Sequence, residues 1–182
     1  QYDAGGDIFW ASGAALFLRK SALEQVGGFD EDFFAHMEEI DLCWRLHLVG
    51  WRVVAVPQAR VYHRAGATLR AESYQKLFLN HRNNLVMILK NYQPKNLLWI
   101  VPLRIFFELT TLCAALLRRD WVRAKAVLAA LIFIITHPNR VREKRKAAQR
   151  GRQLTDREMF SKIYRGSIVW AYFVRGIRRY QD

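Results

Sequence analysis

Cysteine and acidic residues are both scarce in this sequence of 182 residues. Its two cysteines, Cys43 and Cys113, cannot form a disulfide framework or the ligand set of a zinc finger, so we expect two reduced, buried thiols. The 16 Asp and Glu residues are outnumbered by 29 Lys and Arg, which gives a formal net charge of +13 and favours an anionic partner. Because hydrophobic residues make up 52% of the chain, disorder is excluded for most of it.

Long uncharged runs are also missing. The longest stretch without Asp, Glu, Lys or Arg has 14 residues, 126–139. A helix that crosses a membrane needs about 20 mostly apolar residues. This stretch therefore predicts a buried or interfacial helix and not a membrane span.

Charge is unevenly distributed along the chain. Residues 1–66 carry nine acidic and six basic side chains, whereas the remainder carries seven acidic and 23 basic ones. Such asymmetry indicates parts with different surroundings. We expect three regions: an α/β part at 1–70, an apolar helical region at 71–139, and a basic segment with a terminal helix at 140–182.

The residue pattern of the first region is typical of an α/β fold. Short apolar or β-branched runs at 14–18, 52–57 and 60–63 predict strands. A possible capping box at Ser21 predicts a short helix that ends at two glycines. The segment from Glu38 to Leu48 predicts a largely buried helix, with acidic residues at its start and basic ones near its end.

The remaining regions are predicted to be helical. Helices are expected over Tyr74 to Tyr92 and over Trp121 to Thr136. Between them, Leu97 to Leu117 is a very apolar segment that is broken by Pro102, Arg104 and Glu108. A capping box that begins at Thr155 predicts a final helix.

Three places in the first region could carry chemistry. The first is the glycine turn with acids and aromatics at 27–34, and the second is the acidic start of the buried helix, with Glu38, Glu39 and Asp41. The third is His63, at the end of a predicted strand. Each place also has a purely structural explanation. The glycine turn can be the C-cap of a helix, the three acids are favoured at any helix N-terminus, and His63 can be a core histidine. Three acids at one end of an apolar helix still favour a general base that faces a cleft.

Taken in order, these motifs resemble a known family. Residues 27–31 (Gly-Gly-Phe-Asp-Glu), 38–46 (Glu-Glu-Ile-Asp-Leu-Cys-Trp-Arg-Leu) and 61–66 (Val-Tyr-His-Arg-Ala-Gly) resemble the second half of the catalytic domain of bacterial inverting family-two glycosyltransferases. The similarity is greatest to the rhamnosyltransferase-like members that build lipopolysaccharide, O-antigen and other surface glycans. It covers roughly the first half of the chain and continues more weakly through 81–84 and the basic residues 140–158.

The resemblance implies a fold, a reaction and its cofactor. The fold is the carboxy-terminal part of a GT-A (Rossmann-like) domain followed by a helical, basic tail. The reaction moves a sugar, with inversion, from a nucleotide-diphosphate donor to a glycan or lipid-linked acceptor, and a divalent cation (Mg²⁺ or Mn²⁺) bridges the diphosphate. In that family the nucleotide-binding strands and the Asp-x-Asp metal motif precede the matching segment. We therefore expect part of a longer enzyme, a cation held mainly by residues outside this chain, and little activity from the chain alone.

The resemblance also assigns roles to individual residues. It gives the base to an acidic pair, usually Glu followed by Asp, where this chain has Glu38 and Glu39 and where Asp41 could assist. Which glutamate reaches the acceptor hydroxyl stays open. The metal-associated histidine of the family corresponds to His63. The positions expected to bind substrate are Trp10, Ser12, Gly13, Asp30 and Arg82.

Two other classes of protein remain as alternatives. Seven basic residues between Arg140 and Arg152 would suit a nucleic-acid-binding module, although no recognisable nucleic-acid motif accompanies them. The same segment, with Trp99, Trp121 and Trp170, would suit a platform on the anionic inner face of the cell membrane. A simpler explanation is that the apolar helices pack on one another.

Overall fold

The computed structural model describes residues 5–63, 73–163, 171 and 175–176. These residues form seven α-helices, one two-stranded sheet and two short 3₁₀ turns, Gly13–Ala15 and Glu31–Phe33. The elements are β1 (Gly6–Asp7), α1 (Lys20–Val26), α2 (Glu38–Leu48), β2 (Val54–Ala55), α3 (Tyr74–Asn91), α4 (Pro94–Leu117), α5 (Trp121–Thr136), α6 (Pro138–Gln149) and α7 (Asp156–Ser161). Trp170 and Gly66 lie outside the described residues.

The described part is more helical than the sequence predicts. β2 lies inside the predicted strand at 52–57 and pairs antiparallel with β1, with Gly6 opposite Ala55. The strand predicted at 14–18 is wrong: its first residues belong to a 3₁₀ turn, and Phe17 is 91% exposed. The strand predicted at 60–63 is also wrong. A strand needs a neighbour for its backbone hydrogen bonds, and no described residue pairs with either run.

The predicted helices are largely confirmed. α2 begins and ends at the predicted residues and is buried from Asp41 onward. α1 begins two residues earlier than the predicted capping box implies, with Arg19 instead of Ser21 as its N-cap, and Gly27 ends it in a left-handed conformation with a φ of 81°. The capping box at Thr155 is present, with both of its reciprocal hydrogen bonds. Pro102 does not break α4, which runs without interruption.

α3 is the central helix of the described fold. It packs against α2, α4, α5 and α6. The main core cluster contains Phe33, Trp44 and Leu48 from the first region and Val86 and Met87 from α3. The prediction of two buried thiols is half right, because Cys43 is buried and Cys113 is exposed.

Candidate functional site

The loop before α2 has an unusual backbone. Phe34, His36 and Met37 have φ angles of 58°, 68° and 72°, a region that side-chain-bearing residues rarely adopt. Met37 is the N-cap of α2 and makes no side-chain capping bond. Backbone strain of this kind costs about 1–3 kcal/mol per residue and persists only when neighbouring structure enforces it. Such strain is frequent at functional sites.

The side chain of Asn83, on α3, holds the loop in this conformation. It is fully buried, and its Nδ2 lies 2.9, 2.9 and 2.8 Å from the carbonyl oxygens of Phe33, Ala35 and His36. Arg82, the next residue, donates to the carbonyl of Asp32 and to the Asn83 side chain. The central helix therefore fixes the loop that delivers the first residues of α2.

Glu38 and Glu39 lie together at the start of α2 with open hydrogen-bonding capacity. The Oε2 atom of each is buried and finds no hydrogen-bond donor among the described residues. Burial raises the pKa of Glu38. A hydrogen bond from its own backbone lowers this pKa, whereas the negative charge of Glu39 and a side-chain hydrogen bond with Glu39 raise it. A carboxylate with a raised pKa and a free oxygen can accept a proton from a bound hydroxyl group.

His36 stands beside the two glutamates. Its Nε2 is buried and has no partner among the described residues. Burial lowers the pKa of His36, and the positive charge of Lys76 lowers it further, whereas Glu39 acts in the opposite direction. The lowered pKa favours the neutral imidazole, which can donate one hydrogen bond and accept another.

The segment that contains Trp10, Ser12 and Gly13 runs close to this site. A Cβ placed on Gly13 would lie 3.9 Å from the Cβ of Glu39, an ordinary van der Waals distance, so Gly13 lies directly beside the glutamate. Ser12 caps the 3₁₀ turn by accepting a hydrogen bond from the Ala14 amide at 3.4 Å. Trp10 is 44% exposed. The structure thus brings Gly13 to Glu39, with Trp10 and Ser12 as its near neighbours in the chain.

Asp41 has a different environment from the glutamates. Its fully buried carboxylate accepts hydrogen bonds from Arg45 Nε at 2.8 Å, Lys90 Nζ at 3.0 Å and Asn91 Nδ2 at 2.8 Å. Lys90 also binds Asp30 Oδ2 at 2.7 Å. These contacts give Asp41 an evident role in the interior, and its proposed assistance to the base stays a prediction.

Asp30 and Arg82 are likewise held by other residues. Asp30 binds Lys90 and Lys144, and burial alone would raise its pKa, but these two lysines outweigh that effect and lower it. Arg82 stacks on the rings of Phe78 and Phe133. Asp30 lines a cleft of about 430 Å³ between residues 26–32 and α6, and neither Glu38 nor Glu39 lines it. Substrate binding by Asp30 or Arg82 stays a prediction.

A metal site is not formed by the described residues alone. His63 is exposed and directly precedes the undescribed segment 64–72. Within the described ranges, no group of three or more His, Cys, Asp and Glu side chains could hold a metal ion. A lone imidazole does not make a Mg²⁺ or Mn²⁺ site, since these ions prefer several oxygen ligands.

Sequence reasoning missed two residues of this site. His36 precedes the acidic pair by two positions, and that spacing is its only sequence signal. Asn83 lies within residues 81–84, where the resemblance continues more weakly, but its role depends on a contact between residues 50 positions apart.

Comparison with known proteins identifies the family. The model of "Glycosyl transferase family group 2" matches residues 1–139. An N-acetylglucosaminyl-diphospho-decaprenol L-rhamnosyltransferase of Mycobacterium tuberculosis is 37% identical over 97 residues, which is 53% of this chain and 31% of that protein. The rhamnosyltransferase WbbL of Escherichia coli K12 is 41% identical over 58 residues, 32% of this chain and 22% of WbbL.

A third relative has a related description. The O-antigen biosynthesis protein RfbC of Myxococcus xanthus is 38% identical over 60 residues, 33% of this chain and 5% of RfbC. The matched part of the chain therefore spans about a third or less of the length of these curated relatives. No solved structure gives a significant match. On the family match across 139 positions, the chain belongs to glycosyl transferase family group 2.

Proposed function

We propose that the full-length protein transfers a sugar, L-rhamnose in the first instance, from a nucleotide-diphosphate donor to a lipid-linked glycan acceptor. The family match supports a sugar transfer, and the rhamnosyltransferase relatives support the sugar and the acceptor class. The two relatives named for rhamnosyl transfer and the O-antigen protein give no support to the nucleic-acid alternative. The proposed site of action is the cytoplasm, at the inner face of the cell membrane.

One observation carries the proposed chemistry: two adjacent carboxylates at the start of α2, each with a buried oxygen that has no donor among the described residues. In the proposed reaction, Glu39 or Glu38 takes the proton of an acceptor hydroxyl. The oxygen attacks the anomeric carbon, and the bond to the diphosphate breaks with its electron pair on the leaving group. A single displacement of this kind inverts the anomeric centre.

The other residues near the glutamates have supporting roles in this proposal. Neutral His36 hydrogen-bonds an acceptor hydroxyl, and Gly13 leaves space for the acceptor above Glu39. The GT-A architecture and a divalent cation that neutralises the leaving diphosphate belong to the same proposal. The cation's oxygen ligands would have to come mainly from outside the described residues, with His63 as a contributor from this chain.

The reaction itself is the test of this proposal. The full-length enzyme is incubated with a nucleoside diphosphate-L-rhamnose and N-acetylglucosaminyl-diphospho-polyprenol, and rhamnose in the extracted lipid is measured. NMR of the product gives its anomeric configuration. Rhamnosylated lipid of inverted configuration is the expected result. Retention of configuration, or no transfer by a folded full-length enzyme from any nucleotide sugar offered, would overturn the proposal.

A further inference from the structure

α4 and α5 present apolar side chains to the outside of the protein. α4 contains only three buried residues among 24, and the 18-residue window with a mean hydropathy of 1.8 is 11% buried. The large apolar residues exposed on the two helices, which we call the outer face, are Leu98, Trp99, Leu103, Phe106, Phe107, Leu109, Leu116 and Leu117 on α4 and Trp121, Val122, Leu128, Ile132 and Ile135 on α5. Soluble monomers rarely expose apolar patches of this extent unless a partner covers them.

Two of the three charged residues of α4, Arg104 and Glu108, face inward. Glu108 is 1% exposed, lies 2.6 Å from His81 Nδ1 of α3, and pairs with Arg104 one turn earlier. The polar stripe of α4 thus packs on the protein while its apolar side faces outward. A surface helix in water normally buries its apolar side and exposes its polar side, so this reversed arrangement favours contact of the apolar side with a nonaqueous environment.

Both ends of the outer face carry cations and tryptophan. Arg118, Arg119 and Lys125 are exposed at the turn from α4 to α5 and in the first turns of α5, where Trp121 also lies. At the other end, Lys95 and Trp99 lie in the first turns of α4. Residues Leu97 and Ile134 share a recess with Arg142 and Arg145 of α6, which brings the basic helix to this end. An apolar face bordered by cations and tryptophans is complementary to an anionic bilayer surface.

The packing of α4 indicates its orientation on such a surface. By length and composition α4 could cross a membrane, and α5 with α6 would pass the same test as a pair bent by 77°. However, α4 packs along α5 and is tied to α3 through Glu108, and α3 also holds the loop before the glutamates. Because α4 is packed along α5 and α3, we expect it to lie on the membrane surface together with these helices instead of crossing the bilayer.

We propose that the outer face of α4 and α5 lies on an anionic lipid bilayer, with α4 parallel to the membrane plane and its apolar side chains at the boundary between headgroups and acyl chains. The proposal goes beyond the transfer reaction and needs no catalytic role for Glu39. Its measurement involves no sugar transfer, so its failure would leave the proposed reaction untouched.

Vesicle co-sedimentation of the full-length enzyme tests the proposal. The vesicles contain phosphatidylglycerol and phosphatidylcholine in equal parts, or phosphatidylcholine alone, at low and high salt. Binding to the anionic vesicles is expected to be stronger and to weaken with salt. Replacing both Arg118 and Arg119 by Gln is expected to weaken it about fivefold per residue. Indifference of the wild-type protein to both kinds of vesicle would overturn the proposal.

Matched substitutions separate the outer face from general hydrophobicity. Phe106→Glu with Leu117→Glu changes two exposed residues of the outer face, and binding is expected to fall at least tenfold. Phe17→Glu makes the same kind of change at a residue that is 91% exposed in the first region, and binding is expected to stay unchanged. Equal loss in both proteins, or none in the first, would contradict the assignment.

Two further measurements address the other possible arrangements. Because the chain has six native tryptophans, the measurement is the quenching that Phe106→Trp adds to that of the wild type. Added quenching by lipids brominated at shallow carbons is expected, and added quenching only by deeply brominated lipids would show a span instead. Analytical ultracentrifugation without lipid tests a second copy as the occupant. A stable dimer that Phe106→Glu dissociates, without vesicle binding by the wild type, would reassign the outer face to an interface between copies.

Discussion

At the residue scale, three carboxylates within four positions of α2 differ because of what surrounds them. Asp41 receives three hydrogen bonds in the interior, whereas Glu38 and Glu39 each keep an oxygen without a donor among the described residues. The sequence shows the acidic cluster, and helix periodicity shows that the helix is buried. Which acid meets Lys90 depends on a contact between residues 49 positions apart, and local pattern does not contain that information.

Asp41→Asn is expected to lower the free energy of unfolding by about 3 kcal/mol, because it leaves the buried Arg45 and Lys90 cations without one of their charge partners. Urea unfolding measures the change. Glu39→Gln serves as the control, since Glu39 forms no ion pair among the described residues, and it should unfold close to the wild type. A stable Asp41→Asn enzyme with lost activity would instead favour the catalytic role predicted for Asp41.

Glu38→Gln is expected to stabilise the fold at neutral pH. Burial raises the pKa of Glu38, so the folded protein favours the protonated form and ionisation costs folding free energy. That cost is absent below the ordinary pKa of 4.5 and appears as the pH rises through the raised pKa. Thermal unfolding from pH 4 to 8 should show a gain in Tm for the variant that grows with pH. A gain in Tm that is equal at every pH, or that matches the gain of the exposed control Glu143→Gln, would show that the folded protein does not disfavour the ionised form of Glu38.

At the element scale, the loop before α2 depends on α3. The sequence predicts α2 to the residue, because its apolar spacing and terminal charges are local signals. It does not predict the left-handed backbone at Phe34, His36 and Met37, since local preference disfavours that conformation and distant hydrogen bonds enforce it. The strands predicted at 14–18 and 60–63 are wrong for a related reason. A strand forms only where a neighbouring segment takes up its backbone hydrogen bonds, and the local sequence does not show whether such a segment is present.

Asn83→Ala is expected to destabilise the fold by about 1–3 kcal/mol and to reduce activity, because three loop carbonyls lose their shared donor. Asn84→Ala is the matched control on the same helix, since the Asn84 side-chain oxygen has no hydrogen-bond partner among the described residues. Chemical denaturation compares the two variants. Equal stability of both would show that Asn83 does not hold the loop.

At the scale of the whole molecule, the basic segment reaches back to the acidic first region. Arg140 and Lys144 of α6 pair with Asp32 more than 100 positions earlier, and the hydrogen bond from Arg140, followed by that from Lys144, lowers the pKa of Asp32 to about 2 against the effect of burial. The sequence shows the charge asymmetry but not this pairing, which accounts for part of the cationic excess. The partition at residue 140 stays a prediction.

The central claim is that the acidic pair at the start of α2 supplies the base of the transfer reaction. The most direct test measures kcat and donor affinity in the full-length enzyme with Glu39→Gln and, separately, Glu38→Gln. Glutamine keeps the size and removes the proton acceptor, so one variant is expected to lose about 10²–10⁴-fold in kcat with little change in donor binding. That variant identifies the base. Near-normal turnover in both would remove the pair from the mechanism and contradict the account.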